Sequence, residues 1–136
     1  MKDQVLTIEQ MQELVALGVD TSTASMCWFP MTLSDENNQP VTKSYFLGIH
    51  HNGCNLYWNT NDGREPIPTF TVQDILEIIK KNVLEKDLSL DLELNLINNQ
   101  FQLTKEVDYR LYTSDGKTLL QSAFQMLKWC KQNNYI

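Results

Sequence analysis

Leu88, Leu90, Leu92, Leu94 and Leu96 alternate with Ser89, Asp91, Glu93 and Asn95. In a helix these leucines would scatter over opposite sides. In an extended chain they share one face, so the pattern demands a half-buried strand. Phe101, Leu103, Val107, Tyr109 and Leu111 also fall on one parity, interrupted only by Lys105. A turn at Asn98-Asn99 would join the two runs. It predicts Leu96 opposite Phe101, Leu94 opposite Leu103, Leu90 opposite Val107 and Leu88 opposite Tyr109. A one-residue slip would turn one strand's apolar set to water. The expectation is two long antiparallel strands of about nine residues or more.

Asn52-Gly53 predicts a second hairpin, because a type I′ turn needs positive φ at both central positions. Pairing about it sets His51 opposite Cys54, Ile49 opposite Leu56 and Leu47 opposite Trp58. That face is the more apolar and is expected to meet the core. Phe46, Gly48, His50, Asn55, Tyr57 and Asn59 take the other face. Upstream, Ala24–Pro30 is short and rich in bulky apolar residues and reads as a strand ending at Pro30. Residues 34–40 read as a loop.

Three helices complete the pattern. Thr7 as N-cap and Gln10 at N3 form a capping box, Leu6 and Met11 a hydrophobic staple, and Gly18 a C-terminal stop. The same signature recurs with Thr71, Asp74, Phe70 and Ile75. A last helix runs from about Thr118 to Asn133 and carries a broad apolar stripe from Leu119 to Cys130. Asn133-Asn134 caps its C-terminus. The order α-β-β-β-α-β-β-α, with strands in antiparallel pairs, predicts one α+β domain over residues 1–136. Its expected form is a five-stranded, mostly antiparallel sheet with helices packed on one face. Glu65–Pro68 reads as a crossing between the halves.

With 136 residues the chain is long enough for a core without disulfides or a structural metal. It carries 11 Lys+Arg against 17 Asp+Glu, a net charge of -6. Nucleic-acid binders cluster their cations, and here only Lys80-Lys81 and Lys86 approach a cluster. They sit where a helix should end and offset its dipole. Three widely spaced cysteines without a CxxC pattern read as reduced thiols. The start has no apolar leader-like run, and no stretch approaches the ~20 apolar residues of a membrane helix. The location expected is cytoplasmic, with no membrane and no nucleic acid as partner.

Candidate chemistry is sparse. His50, His51 and Cys54, with Cys27 as a fourth ligand, suggest zinc, but the hairpin sends His50 and His51 to opposite faces. His51 and Cys54 remain weak candidates for an open metal site. As a nucleophile pair they lack an oxyanion loop and a helix N-terminus at the thiol. Asp91 and Glu93 share one strand face at a spacing that carboxylate pairs can use, but a solvated strand face is by far the commoner reason for such a pair. No phosphate loop, nucleophile elbow or metalloprotease motif occurs. No cofactor is expected. The aromatics Phe46, Tyr57 and Tyr112 fall opposite their strands' apolar sets. They suggest either an interaction surface or a second small core.

Three stretches carry a family likeness. They are Leu6–Met11 with Gly18–Ser22 and Ala24–Met26, then Ile67–Thr71 with Gln73–Leu76, and Met126–Cys130 with Asn133 and Tyr135. Together they resemble small uncharacterised proteins encoded in prophages and mobile elements of gut anaerobic bacteria. The likeness covers most of the chain outside residues 31–64. It implies a phage or mobile-element setting and no particular activity. The expectation is a non-enzymatic accessory protein that binds another protein. A small-molecule or metal-binding domain, or minor enzyme, using His51 and Cys54 is one alternative. An acidic regulator mimicking nucleic acid is another.

Overall fold

The computed structural model describes residues 2–49 and 64–136. The Asn52-Gly53 turn, with His51, Cys54, Tyr57 and the strand expected after it, lies outside the described residues. A 3-10 turn (Lys2–Gln4) leads into α1 (Ile8–Ala16), β1 (Met26–Ser34), β2 (Pro40–Ile49) and β3 (Ile67–Thr69). There follow α2 (Val72–Ile79), β4 (Leu90–Asn95), β5 (Gln100–Lys105), β6 (Tyr109–Thr113) and α3 (Leu119–Gln132). The α+β class and the antiparallel pairing are as expected. The described strands, however, form two three-stranded sheets, β2-β1-β3 and β4-β5-β6, in place of one five-stranded sheet.

Both predicted capping boxes are present. Thr7 accepts from the Gln10 amide while the Gln10 side chain accepts from the Thr7 amide, and Thr71 and Asp74 do the same. Gly18, at φ 90°, closes α1: its amide donates to the Val15 carbonyl and that of Val19 to Leu14. Asn134, at φ 62°, closes α3 in the same way, with the Tyr135 amide donating to the Cys130 carbonyl. α2 does not stop at its end but widens into a single π turn, Lys80–Leu84, which holds Lys80 and Lys81.

The segments before the first two caps lie side by side. The Leu6 amide donates to the Phe70 carbonyl at 3.0 Å, and Val5 bridges Thr71. The Leu6 carbonyl accepts both the Thr69 hydroxyl at 2.7 Å and the Trp28 indole N–H at 3.0 Å. Three chain segments are thus tied to one buried oxygen. The Asp74 carboxylate adds a further tie, accepting from the Ser25 amide and hydroxyl as well as from Thr71.

In the first sheet β1 continues through Pro30 to Ser34 and does not end at the proline. β3 reaches only Met26–Trp28, so at Pro30 β1 is hydrogen-bonded on one side alone among the described residues, where a missing N–H is tolerated. The loop expected at 34–40 is a tight hairpin turn. Asp35 accepts from the amides of Asn37 and Gln39, and Asn38 takes φ 59°. Trp28 pairs with Leu47 and Ile67, and its indole reaches the main body. Leu47 is half-buried there, whereas Ile49 is exposed. On the other face Cys27, Phe29 and Phe46 form a small separate cluster. The Phe29 ring lies over Gly48, where an added Cβ would come within 2.7 Å of it.

The second sheet departs from the predicted register. Leu94 pairs with Phe101, Leu92 with Leu103 and Leu90 with Lys105, two residues away from the expected pairing. A slip of two preserves every side chain's face, so alternation alone cannot detect it. Asn95 makes the difference. Its side chain accepts the amides of Ile97 and Asn98 and starts the turn early, giving a four-residue loop, Leu96–Asn99. The Ser122 hydroxyl of α3 donates to the Asn99 carbonyl and anchors that loop. The expected long second strand is instead two. Glu106 and Val107 both take positive φ and turn the chain into β6. Between Leu103↔Tyr112 and Thr104↔Arg110 the register shifts, leaving Leu111 as a bulge.

The main core draws on residues from Leu6 to Cys130 and includes Met11, Leu14, Phe70, Ile75, Ile79, Phe101, Leu103 and Leu127. Each such side chain contributes about 1.5–3 kcal/mol by leaving water. Among the described residues no helix is long and apolar enough to cross a membrane.

Candidate functional site

β4 is the outer strand of the second sheet, and no described strand pairs with its far side. Its start is fixed by Asp87, which accepts from the Ser89 hydroxyl at 2.6 Å and amide at 3.0 Å. Those two hydrogen bonds, the hydroxyl's first, hold the Asp87 carboxyl below the usual carboxylate range. The Glu106 amide donates to the Ser89 carbonyl. By the alternation of an antiparallel ladder, Asp91, Glu93 and Asn95 then bond toward β5, and Leu90, Leu92 and Leu94 turn their backbone groups outward, the Leu90 amide donating back to the Asp87 carbonyl at 3.1 Å. The Asp91 carboxylate takes the Leu92 amide at 2.9 Å.

The side chains along this edge are unusually apolar for a surface. Nine large apolar residues are exposed among the described ones. Five of them, Leu88, Leu94, Leu96, Ile97 and Val107, lie in β4 or line the clefts at its two ends. Leu88 is 92% exposed, Ile97 93% and Val107 87%. Two clefts follow the strand. One, of about 410 Å³, is lined by Leu94, Leu96, Ile97 and Gln100, and the other, of about 440 Å³, by Leu88, Leu90, Asp91 and Val107. Glu93 lines both, and Glu106 joins it in the second. Neither lining holds a Lys, Arg or His among the described residues. The two clefts thus mix apolar side chains with polar ones, and the charged groups in their linings are all acids.

Period-two reading assigned Leu88, Leu94 and Leu96 to the core. Leu94 keeps the expected face, opposite Phe101, but Leu88 and Leu96 fall in the turns beyond β4, and all three are exposed because α3 packs on β5 and β6. The signal in the sequence is Leu96-Ile97, where apolar residues run past the strand into its turn.

The carboxylate pair Asp91 and Glu93 is exposed on β4. Phe46 and Tyr112 lie in different sheets. Phe46 is half-buried and stacked on Phe29 at 5.5 Å. Tyr112 is half-buried against the main core and stacked on Trp129 at 5.0 Å, which in turn stacks on Tyr135 at 5.3 Å. The bulge at Leu111 accounts for this placement, because it resets the parity on which Tyr112 was expected to face outward. Of the weak metal candidates, His51 and Cys54 lie outside the described residues. Cys27 and Cys130 are both buried. Burial pushes the Cys130 thiol up to about 12, which keeps it protonated and unreactive.

One further cleft lies where the N-termini of α2 and α3 meet, lined by Thr71, Val72, Thr118 and Leu119 with Asp3. The Thr71 and Thr118 side chains already accept from the first turns, so those amides are satisfied from within.

No family model matches the chain, and neither a curated protein nor a solved structure is found similar to it.

Proposed function

We propose that the chain is a non-enzymatic binding protein that docks another protein along the β4 edge. The observation that carries this reading is the set of exposed apolar side chains lining the two clefts along that edge. Scattered apolar residues are normal on a surface, but two groups of them at the ends of one open sheet edge favour an interaction site. The likeness of residues 6–11, 67–71 and 126–130 to prophage and mobile-element proteins supports a phage or mobile-element accessory role. The buried thiols of Cys27 and Cys130 accord with a reducing, cytoplasmic setting.

Photo-crosslinking tests the docking. A photoreactive residue at position 96 should capture one identifiable protein in source cells, and one at position 36 should not. Leu94→Lys with Ile97→Lys should abolish the adduct while changing stability by less than about 1 kcal/mol, as exposed positions do. An adduct that survives this double substitution would overturn the reading.

A further inference from the structure

We infer that the occupant of this edge is a strand-forming segment of a partner protein with Lys or Arg at alternate positions. The inference deepens the docking reading and rests on it. Three features select this occupant. First, the Leu94 amide and the carbonyls of Leu90, Leu92 and Leu94 suit an added strand through main-chain hydrogen bonds, while the Leu90 amide already donates to the Asp87 carbonyl and the Leu92 amide to the Asp91 carboxylate. Second, a strand added in plane presents alternate side chains to the two faces. On the helix side it would meet Leu92 and Leu94, which are apolar. On the other side it would meet Asp91 and Glu93, which are both exposed acids. An alternating basic and apolar segment complements both faces at once. Third, neither cleft along the edge offers a cation to an acidic segment.

A second copy of this chain fits poorly. Antiparallel self-pairing of β4 about a two-fold axis keeps equal faces together, so residues pair with others of the same parity. Centring the pair on Leu92 sets Asp91 against Glu93. Centring it on Glu93 sets that residue against its own copy, and centring it on Asp91 does likewise. Every central register therefore opposes like charges, which is destabilising.

A blocked peptide alternating Lys and Val, as long as the six residues of β4, is a direct probe. Added to the full chain, it should shift the backbone amide resonances of Leu90–Asn95 saturably and bind more weakly as salt rises. Asp91→Asn with Glu93→Gln keeps a side-chain acceptor beside Leu92 and should weaken binding roughly threefold to tenfold, the worth of two exposed ion pairs. A Glu-Val peptide should bind more weakly than the Lys-Val peptide. Equal binding of the two peptides, or shifts confined to other strands, would overturn the inference. So would a concentration-dependent dimer that Leu94→Lys dissolves, which would make a second copy the occupant. If the peptide fails while the position-96 adduct persists, only the basic-strand inference falls. If both fail, the docking reading falls with it.

Discussion

Leu94 and Phe101 face each other across β4 and β5, yet Phe101 is 2% exposed and Leu94 42%. The pair marks the line where the core ends. Phe101 lies beneath α3, while Leu94 lies beyond it. Truncating the two should therefore have unequal effects. Phe101→Ala should cost about 3–5 kcal/mol, as large core aromatics do. Leu94→Thr should cost less than about 1 kcal/mol, since it places a β-branched residue that suits a strand at an exposed position. Urea unfolding midpoints would check both, and equal losses would place Leu94 inside the core.

Asp74 serves two elements with one carboxylate. It closes the α2 capping box and receives the amide and hydroxyl of Ser25, at 3.1 and 2.7 Å, just before β1. Asp74→Ala should cost more than an isolated N-cap, about 2–3 kcal/mol, because it also leaves the Ser25 groups without their acceptor. Ser25→Ala should cost less, since only the hydroxyl is lost. A double-mutant cycle on these two residues should give a clear coupling energy.

The features legible in the sequence are those fixed by a few neighbouring residues. Both capping boxes, the Gly18 stop and the Asn134 cap follow from residues within one turn of one another. The period of two identified the faces of β4 and β5 because alternation is local. It could not choose between registers two residues apart, and Asn95, which decides the matter, resembles any other turn residue. The turn at Glu106-Val107 has neither Gly nor Asn to announce it, and Pro66-Ile67-Pro68 conceals the short β3. The exposure of the β4 edge was hidden for a different reason. The leucines of β4 name the face they occupy, but the distance that α3 extends across the sheet depends on packing contacts far apart in the chain.

Cys130 has neither a disulfide nor access to solvent, and burial holds its thiol protonated. Cys27 is equally buried. In a Cys54→Ser background, a thiol reagent at pH 8 should modify neither residue until urea unfolds the chain, after which both should react. Rapid modification in the native state would show that the core opens locally.

Asp20 and Asp87 each accept hydrogen bonds from a serine two residues on, at Ser22 and Ser89, and both carboxyls lie below their ordinary value of 3.8. The main cause is the backbone bond for Asp20 and the hydroxyl bond for Asp87. A depressed folded-state value means that the unfolded chain binds more protons in this window, so stability rises with pH. The contribution is complete above the unfolded value and is lost as pH falls through the lower folded one. The stability gap between the wild type and Asp20→Ala with Asp87→Ala should stay constant near neutral pH and close below 3.8. A gap that persists to the lowest pH at which the fold survives would show that neither carboxylate is stabilised by its serine.

Val107 holds φ at 69° although it is β-branched, and its side chain is exposed at the end of the groove. The left-handed conformation costs an L-residue roughly 1–2 kcal/mol, and β-branching adds to the strain. Glycine would remove that strain but lose about 0.5–1 kcal/mol through the greater freedom of the unfolded chain. The strain is the larger effect, and an exposed valine forfeits little burial. Val107→Gly should therefore stabilise the protein by about 0.5–1 kcal/mol. The same substitution removes an apolar wall from the cleft beside Leu88, so it should weaken binding of the Lys-Val peptide. Higher stability with lower affinity, read by urea unfolding and peptide titration on one variant, would show that the strained valine serves docking at the expense of the fold. Unchanged affinity would restrict the docking surface to the Leu94–Ile97 end of the edge.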